Sequence, residues 1–346
     1  MKNYIEYAVQ KTVSLCNIPS PTGFTGKIEK FVFDEFVGLG FKPVFTNKRS
    51  ILVDLGGEGS GLVIAAHVDT LGAMVRSIKP NGRLRLAKVG SYAINNIEHE
   101  NCTIHTRSGK EYTGTIQLEK SAAHIYSSVV ISEIKRDETS IEVVIDEKVK
   151  SKEDVKKLDI NTGDFISFDP KTVYTKSGFI KSLHLDDKAG CAILMSLAKY
   201  IREKDIKLNR KVYLLFTAYE EVGHGASAGI PDDVEEIISI DLGPVGEDLE
   251  TDEYKVSICA MDKSGGPYDF DVTNKLIDTA KEHALNYAVD VYPVYASDSD
   301  SALLAGYDIK HGLMGPGVSA SHGYERTHRE AIENTLILLK EYIKRK

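Results

Sequence analysis

The chain has 346 residues, 42% of them hydrophobic, and a formal net charge of −8, enough apolar material for one large domain or two ordinary ones with a packed core. It carries no long basic block beyond the locally basic end at 344–346, and no apolar run approaches the ~20 residues of a membrane-spanning helix, so neither a nucleic-acid partner nor a membrane is suggested. The opening MKNYIEYAVQK lacks the apolar stretch of a signal peptide, which makes the cytoplasm the expected compartment.

Two helices are predicted first, over 4–16 and 25–40, because Ile5, Val9, Val13 and then Ile28, Phe31, Val32, Phe36 recur at helical spacing. Pro19-Ser20-Pro21-Thr22-Gly23 separates them. Short apolar segments at 42–46, 51–55 and 62–66 read as strands entering a sheet, and the third ends in His67. From Gly72 the texture changes to short segments bounded by Gly, Asn and Ser, with strands predicted at 84–89, 101–106, 113–118 and 140–146. We read 72–165 as an inserted β-rich domain, and 1–71 with 166–346 as one discontinuous domain around it. Helical and strand signals then alternate: a long apolar helix at 189–202, strands at 212–216, 237–240 and 254–258, a helix at 275–288, a strand at 289–294 and a closing helix at 329–343. The predicted class is α/β, a mixed central sheet flanked by helices with a small inserted β domain.

Cys16, Cys102, Cys191 and Cys259 show no CxxC spacing, so they indicate neither a thiolate zinc site nor a disulfide framework and read as small core residues. The chemistry-bearing groups are acids and imidazoles, most of them where an apolar strand stops. Glu220-Glu221 follow the strand at 212–216 inside LLFTAYEEVGHG, and two adjacent acids there are costly to desolvate without a cation. In a two-metal hydrolase one such Glu can bind a metal while its neighbour handles the proton of an attacking water; the competing reading is a solvated acidic turn.

In LVIAAHVDT, His67 and Asp69 share a face of an extended segment, so the acid can orient a ligating imidazole. In SLHLDDKAGCAILM, one carboxylate of Asp186-Asp187 can bridge two cations while the other starts a helix, and His184 reads as an outer or structural histidine. Asp241 closes an apolar run in IISIDLGPVG, where the competing role is turn formation. His322 and His328 precede the closing helix. Together the order His, Asp, Glu-Glu, Asp, His supplies five ligands and a base for two divalent cations, and nitrogen and oxygen donors without thiolate favour zinc, cobalt or manganese.

These motifs resemble the co-catalytic metallopeptidases of clan MH, and most closely the family of tetrahedral, self-compartmentalising aminopeptidases, also named glutamyl aminopeptidases or endoglucanases. LCNIPSPTGFTGKIEKFVFDEF looks like that family's opening, AAHVDTLGAMV like its first metal motif, LDDKAGCA like its bridging-Asp motif and TAYEEVGHGAS like its Glu-Glu motif. The resemblance implies a peptide substrate, His67 and Asp241 on one or other metal, Asp186 bridging, Glu221 and His322 as ligands, Glu220 as general base and Asp69 orienting His67. For the last histidine, the family pattern of His followed by an acid fits His322 and Glu325 better than His328. It also implies a homo-oligomer, dimers built into a twelve-subunit shell, with the β domain supplying contacts. HGYERTH departs from the family's His-Ser-Pro form, and YASDSDSALLAG stands where a Gly-rich Thr-Asp-Ala segment is customary, which leaves the substrate pocket open. Two other readings remain beside an aminopeptidase: a dipeptidase or N-acyl amino acid deacylase, with Arg326 as the nearest arginine to a proposed ligand, and a metal-stabilised scaffold.

Overall fold

The computed structural model describes residues 1–345. Two compact units make up the chain, Met1–Asp69 together with the residues from Lys171 onward, and Thr70–Pro170. The first is built on a ten-stranded mixed sheet. At its centre four parallel strands lie side by side, in the order Lys211–Thr217, Gly61–His67, Val234–Ile240, Lys310–Val318. Ile51–Gly56 and Val256–Asp262 flank them antiparallel.

Every residue of Gly61–His67 is buried, which explains why this strand shows no polar alternation in the sequence. Leu62, Ile64 and Ala66 enter the main apolar cluster, formed with helices Lys2–Cys16, Gly26–Gly38, Leu185–Glu203 and Arg329–Tyr342. Val63 and Ala65 point the other way, into a second cluster with Ala226, Ile230 and Ala302. Each fully buried aliphatic side chain of this kind contributes ~1.5–3 kcal/mol, so both faces of the strand are held and its end is placed rigidly.

The second unit closes six antiparallel strands into a barrel, in the order Gly72–Ile78, Leu84–Val89, Ile141–Ile145, Glu111–Leu118, Asn101–His105, Phe165–Phe168. Leu84, Leu86, Ile104, Ile116, Val143 and Ile166 are fully buried in it. Between two of its strands the helices Ala123–Tyr126 and Ser128–Glu133 bury no residue and leave Ile125 and Val129 exposed.

Two expectations shift. The helix predicted at 275–288 is Phe270–Glu282, because the Asp269 side chain accepts the Val272 N–H and starts it early; the chain then turns through Ala284 at φ 51° into the strand Tyr287–Val291 rather than 289–294. Lys310–Val318 is a central strand that its turn-like composition, KHGLMGPGV, conceals. Its Gly315 is needed for close approach, since a Cβ there would fall 1.4 Å from the backbone oxygen of Asp241. Among the described residues no helix is long and apolar enough to cross a membrane.

Candidate metal centre

The four central parallel strands deliver the candidate residues to one edge of the sheet. His67 ends Gly61–His67, Glu220-Glu221 follow Lys211–Thr217 in a short 3-10 turn, Asp241 follows Val234–Ile240, and His322 lies beyond Lys310–Val318. The carboxyl ends of parallel strands are where an α/β sheet gathers ligand groups. Asp186 joins them from the start of Leu185–Glu203, where Asp186 and Asp187 have non-helical backbone angles and share a cis peptide bond.

Asp186 is the hub. Its Oδ1 is 2.8 Å from His67 Nε2 and its Oδ2 is 3.3 Å from His322 Nε2, so each oxygen faces a different imidazole. His67 Nε2 is also 3.7 Å from Glu220 Oε2, and His322 Nε2 is 3.7 Å from Glu221 Oε2. Donor atoms of His67, Glu220 and Asp241 lie within 4.8 Å of one another, as do those of His67, Asp186 and Glu221. His67 Nδ1 donates to the Asp69 carbonyl oxygen at 2.9 Å; a carbonyl only accepts, so Nδ1 carries a proton, and Nε2 is turned into the site.

The surrounding residues fix these groups. The Asp69 carboxylate lies 3.6 Å from His67 Nδ1 and accepts the Thr22 hydroxyl at 2.6 Å and the backbone N–H groups of Glu220 and Glu221 at 3.2 and 3.4 Å. Asp187 accepts the N–H of His67 at 3.2 Å and of Gly190 at 3.0 Å, which makes it the helix-start carboxylate of its pair. Glu325 accepts the N–H of Asp186 at 3.1 Å and of His322 at 3.0 Å. His322 sits at φ 60°, a left-handed conformation that this hydrogen bond supports.

Charge is badly out of balance. Burial, reinforced by neighbouring carboxylates, pushes Asp187, Glu220 and Glu221 well above the usual carboxyl range, Asp241 up to about 7 and Glu325 up to about 8. Asp186 goes the other way, because hydrogen bonds from His322 and His67 outweigh its burial. Burial works to lower His67, yet its bonds to Asp186 and Asp69 hold it well above its usual value. Glu221 Oε1 is buried and without a hydrogen-bond partner. An orphaned carboxylate oxygen among crowded acids and two imidazoles is a donor set that suits hard or borderline divalent cations.

Other predicted residues go elsewhere. His328 caps the closing helix through Nδ1 and places Nε2 2.8 Å from the Ser177 carbonyl. Arg326 pairs with Glu253 at 2.6 Å and stacks on Phe179. His184 is buried at φ 72° just before Leu185–Glu203, and burial takes it down to about 3. Two contributors were not foreseen. Lys188, fully buried, donates to Ser20 and to the Val68 carbonyl beneath the site; a lysine within an apolar helix was the available signal. Asp298 binds Thr217 and Ala226 on either side of the Glu-Glu turn, and nothing in the run SDSDS distinguished it.

Residues 50–338 match the M42 glutamyl aminopeptidase family. Over 342 residues the chain is 40% identical to "Putative aminopeptidase YhfE" of Bacillus subtilis (strain 168), covering 97% of this chain and 98% of that one. In fold it is similar to aminopeptidase APDkam598 from the archaeon Desulfurococcus kamchatkensis, at TM-score 0.87 and 20% identity over 99% of this chain and 96% of that one. It is also similar to the TET1 peptidase of Pyrococcus horikoshii, at TM-score 0.85 and 21% identity over 97% and 99%. The chain thus belongs to the M42 glutamyl aminopeptidase family of metallo-aminopeptidases and is a peptide hydrolase.

Proposed function

We propose that this protein removes amino-terminal residues from peptides with two divalent cations held by His67, Asp186, Glu221, Asp241 and His322, and with Glu220 as general base. The observation that carries the reading is Asp186, whose two oxygens face His67 at 2.8 Å and His322 at 3.3 Å, the disposition a bridging carboxylate needs. The buried, unpartnered Glu221 Oε1 supports the assignment of that residue as a ligand. Zinc, cobalt and manganese suit the nitrogen and oxygen donors. Two such cations supply Lewis acidity, polarising an amide carbonyl and bringing the pKa of water from about 15.7 toward ~7.

The chain's own residues do the rest. His67 is turned by the Asp69 carbonyl so that Nε2 faces inward. Glu220, its backbone held by Asp69, takes a proton from the attacking water on its carboxylate and returns it to the departing amide nitrogen. Arg326, engaged by Glu253 and Phe179, is not disposed to read a substrate carboxylate, which favours an aminopeptidase over a deacylase.

The TET1 peptidase of Pyrococcus horikoshii can assemble into a tetrahedron or a large octahedral shell. For this chain we propose a homo-oligomer of dimers, up to twelve subunits, with contacts from the barrel unit, whose Ile125 and Val129 are 75% and 63% exposed. The test of the activity is a panel of aminoacyl anilides against N-acyl amino acids. Turnover of the anilides alone is expected; turnover of the N-acyl substrates alone would transfer the assignment to a deacylase.

A further inference from the structure

We propose that Asp298 is a positioning residue for the Glu220-Glu221 turn, holding both of its ends at once. This rests on the roles given above to the two glutamates. Asp298 is 2% exposed, at the start of the helix Asp298–Leu304. Its Oδ2 accepts the Thr217 hydroxyl at 2.6 Å, and its Oδ1 accepts the Ala226 N–H at 2.7 Å. Thr217 is the last residue of the strand before the turn, and Ala226 lies just after it, so one carboxylate spans the segment like a staple.

Three further contacts make the staple rigid. Gly225 packs so tightly on it that a Cβ would fall 1.9 Å from Asp298 Oδ1. The N–H of Ser299 donates to Ser239 Oγ at 2.9 Å, tying the helix start to the strand that leads into Asp241. Ser297 and Asp300 form a capping box that fixes the first turn of the helix. Thr217 also pairs in register with His67 and gives its carbonyl to the Val68 N–H at 2.9 Å. Asp298 therefore references the proposed base Glu220 and the proposed ligand Glu221 to the strands that lead into His67 and Asp241. A misplacement of about 1 Å in such a constellation costs ~10²-fold in rate, and the Asp298 carboxylate hydrogen-bonds both ends of the turn.

The test compares the metal-loaded enzyme with Asp298→Ala, Thr217→Val and Thr217→Ser. Two quantities are read: kcat and KM on the best anilide of the panel, and amide hydrogen exchange across residues 218–226. Asp298→Ala and Thr217→Val are expected to lower kcat about 10–100-fold with KM changed less than about threefold, and to speed exchange in 218–226 about tenfold or more while 61–67 stays protected. Thr217→Ser keeps the hydroxyl and is expected to restore both. Should Asp298→Ala not fold, the Thr217 pair carries the comparison. Unchanged exchange in 218–226, or a Thr217→Ser variant as impaired as Thr217→Val, would overturn the proposal. A wild-type enzyme inert on every anilide would sink the aminopeptidase reading instead, and the exchange measurement would still decide the role of Asp298.

Discussion

The backbone N–H of Glu220 lies 3.2 Å from Oδ1 of Asp69, so the residue two places after His67 holds the proposed general base. The same residue turns His67 through its carbonyl oxygen at 2.9 Å. One aspartate thus links an imidazole on one strand to a carboxylate on the next.

Asp69→Asn tests that link. Its carboxylate faces only donors, the Thr22 hydroxyl and two backbone N–H groups, and an amide NH2 would set donor against donor. We expect kcat to fall about 10²-fold with bound metal retained. Steady-state kinetics with metal analysis checks this, and an unaffected kcat would remove Asp69 from the mechanism.

The two late histidines separate cleanly. His322→Ala removes a group 3.3 Å from Asp186 and should release metal and abolish turnover. His328→Ala removes a helix cap, worth about 1 kcal/mol, and should lower Tm by only about 1–2 °C while leaving turnover within about threefold. The reverse pattern in metal content would transfer the ligand role to His328.

How much of this was legible in the sequence depended on local contrast. His67, Asp241 and Glu220-Glu221 stand out because each interrupts or closes an apolar run, and it is their recurrence at the ends of three buried parallel strands, more than any one of them, that separates a shared site from ordinary turn residues. Asp298 could not be read, since its partners Thr217 and Ala226 are distant in sequence and its own neighbours are equally polar. Lys310–Val318 was hidden for the opposite reason: its glycines suggest turns, whereas they serve close approach, Gly315 to the Asp241 backbone, Gly317 to the Asp252 backbone and Gly312 to the Val272 side chain. Tertiary closeness, not propensity, decides both.

Away from the metal centre, Asp300 should make stability depend on pH. Burial, then the hydrogen bond and charge of Asp262, lifts its carboxyl from 3.8 to about 7. The folded protein keeps a proton that the unfolded chain gives up above about pH 4, so this contribution is present at low pH and is lost as pH rises through about 7. Asp300→Asn carries no such proton. The Tm of the metal-loaded wild type should therefore fall relative to that of Asp300→Asn by a few degrees between about pH 5 and 8. Parallel Tm curves would show that Asp300 titrates normally.

Chelation should stop turnover without unfolding the chain. The sheet is held by apolar clusters on both faces, and the donors sit at its edge. Far-UV circular dichroism is expected to persist, with Tm lower by roughly 5–10 °C, and activity should return with zinc, cobalt or manganese. Loss of the dichroism signal on chelation, with no turnover on restoring metal, would favour a metal-stabilised scaffold.

The most direct measurement is on Glu220→Gln: metal per chain and turnover on the best aminoacyl anilide, side by side with wild type. Glutamine keeps the shape and the backbone bond to Asp69 but cannot take a proton. Bound metal at the wild-type level with turnover down about 10²–10⁴-fold is expected of a lost general base. Near-normal turnover would contradict the role of Glu220, and loss of metal in this variant would make it a ligand instead.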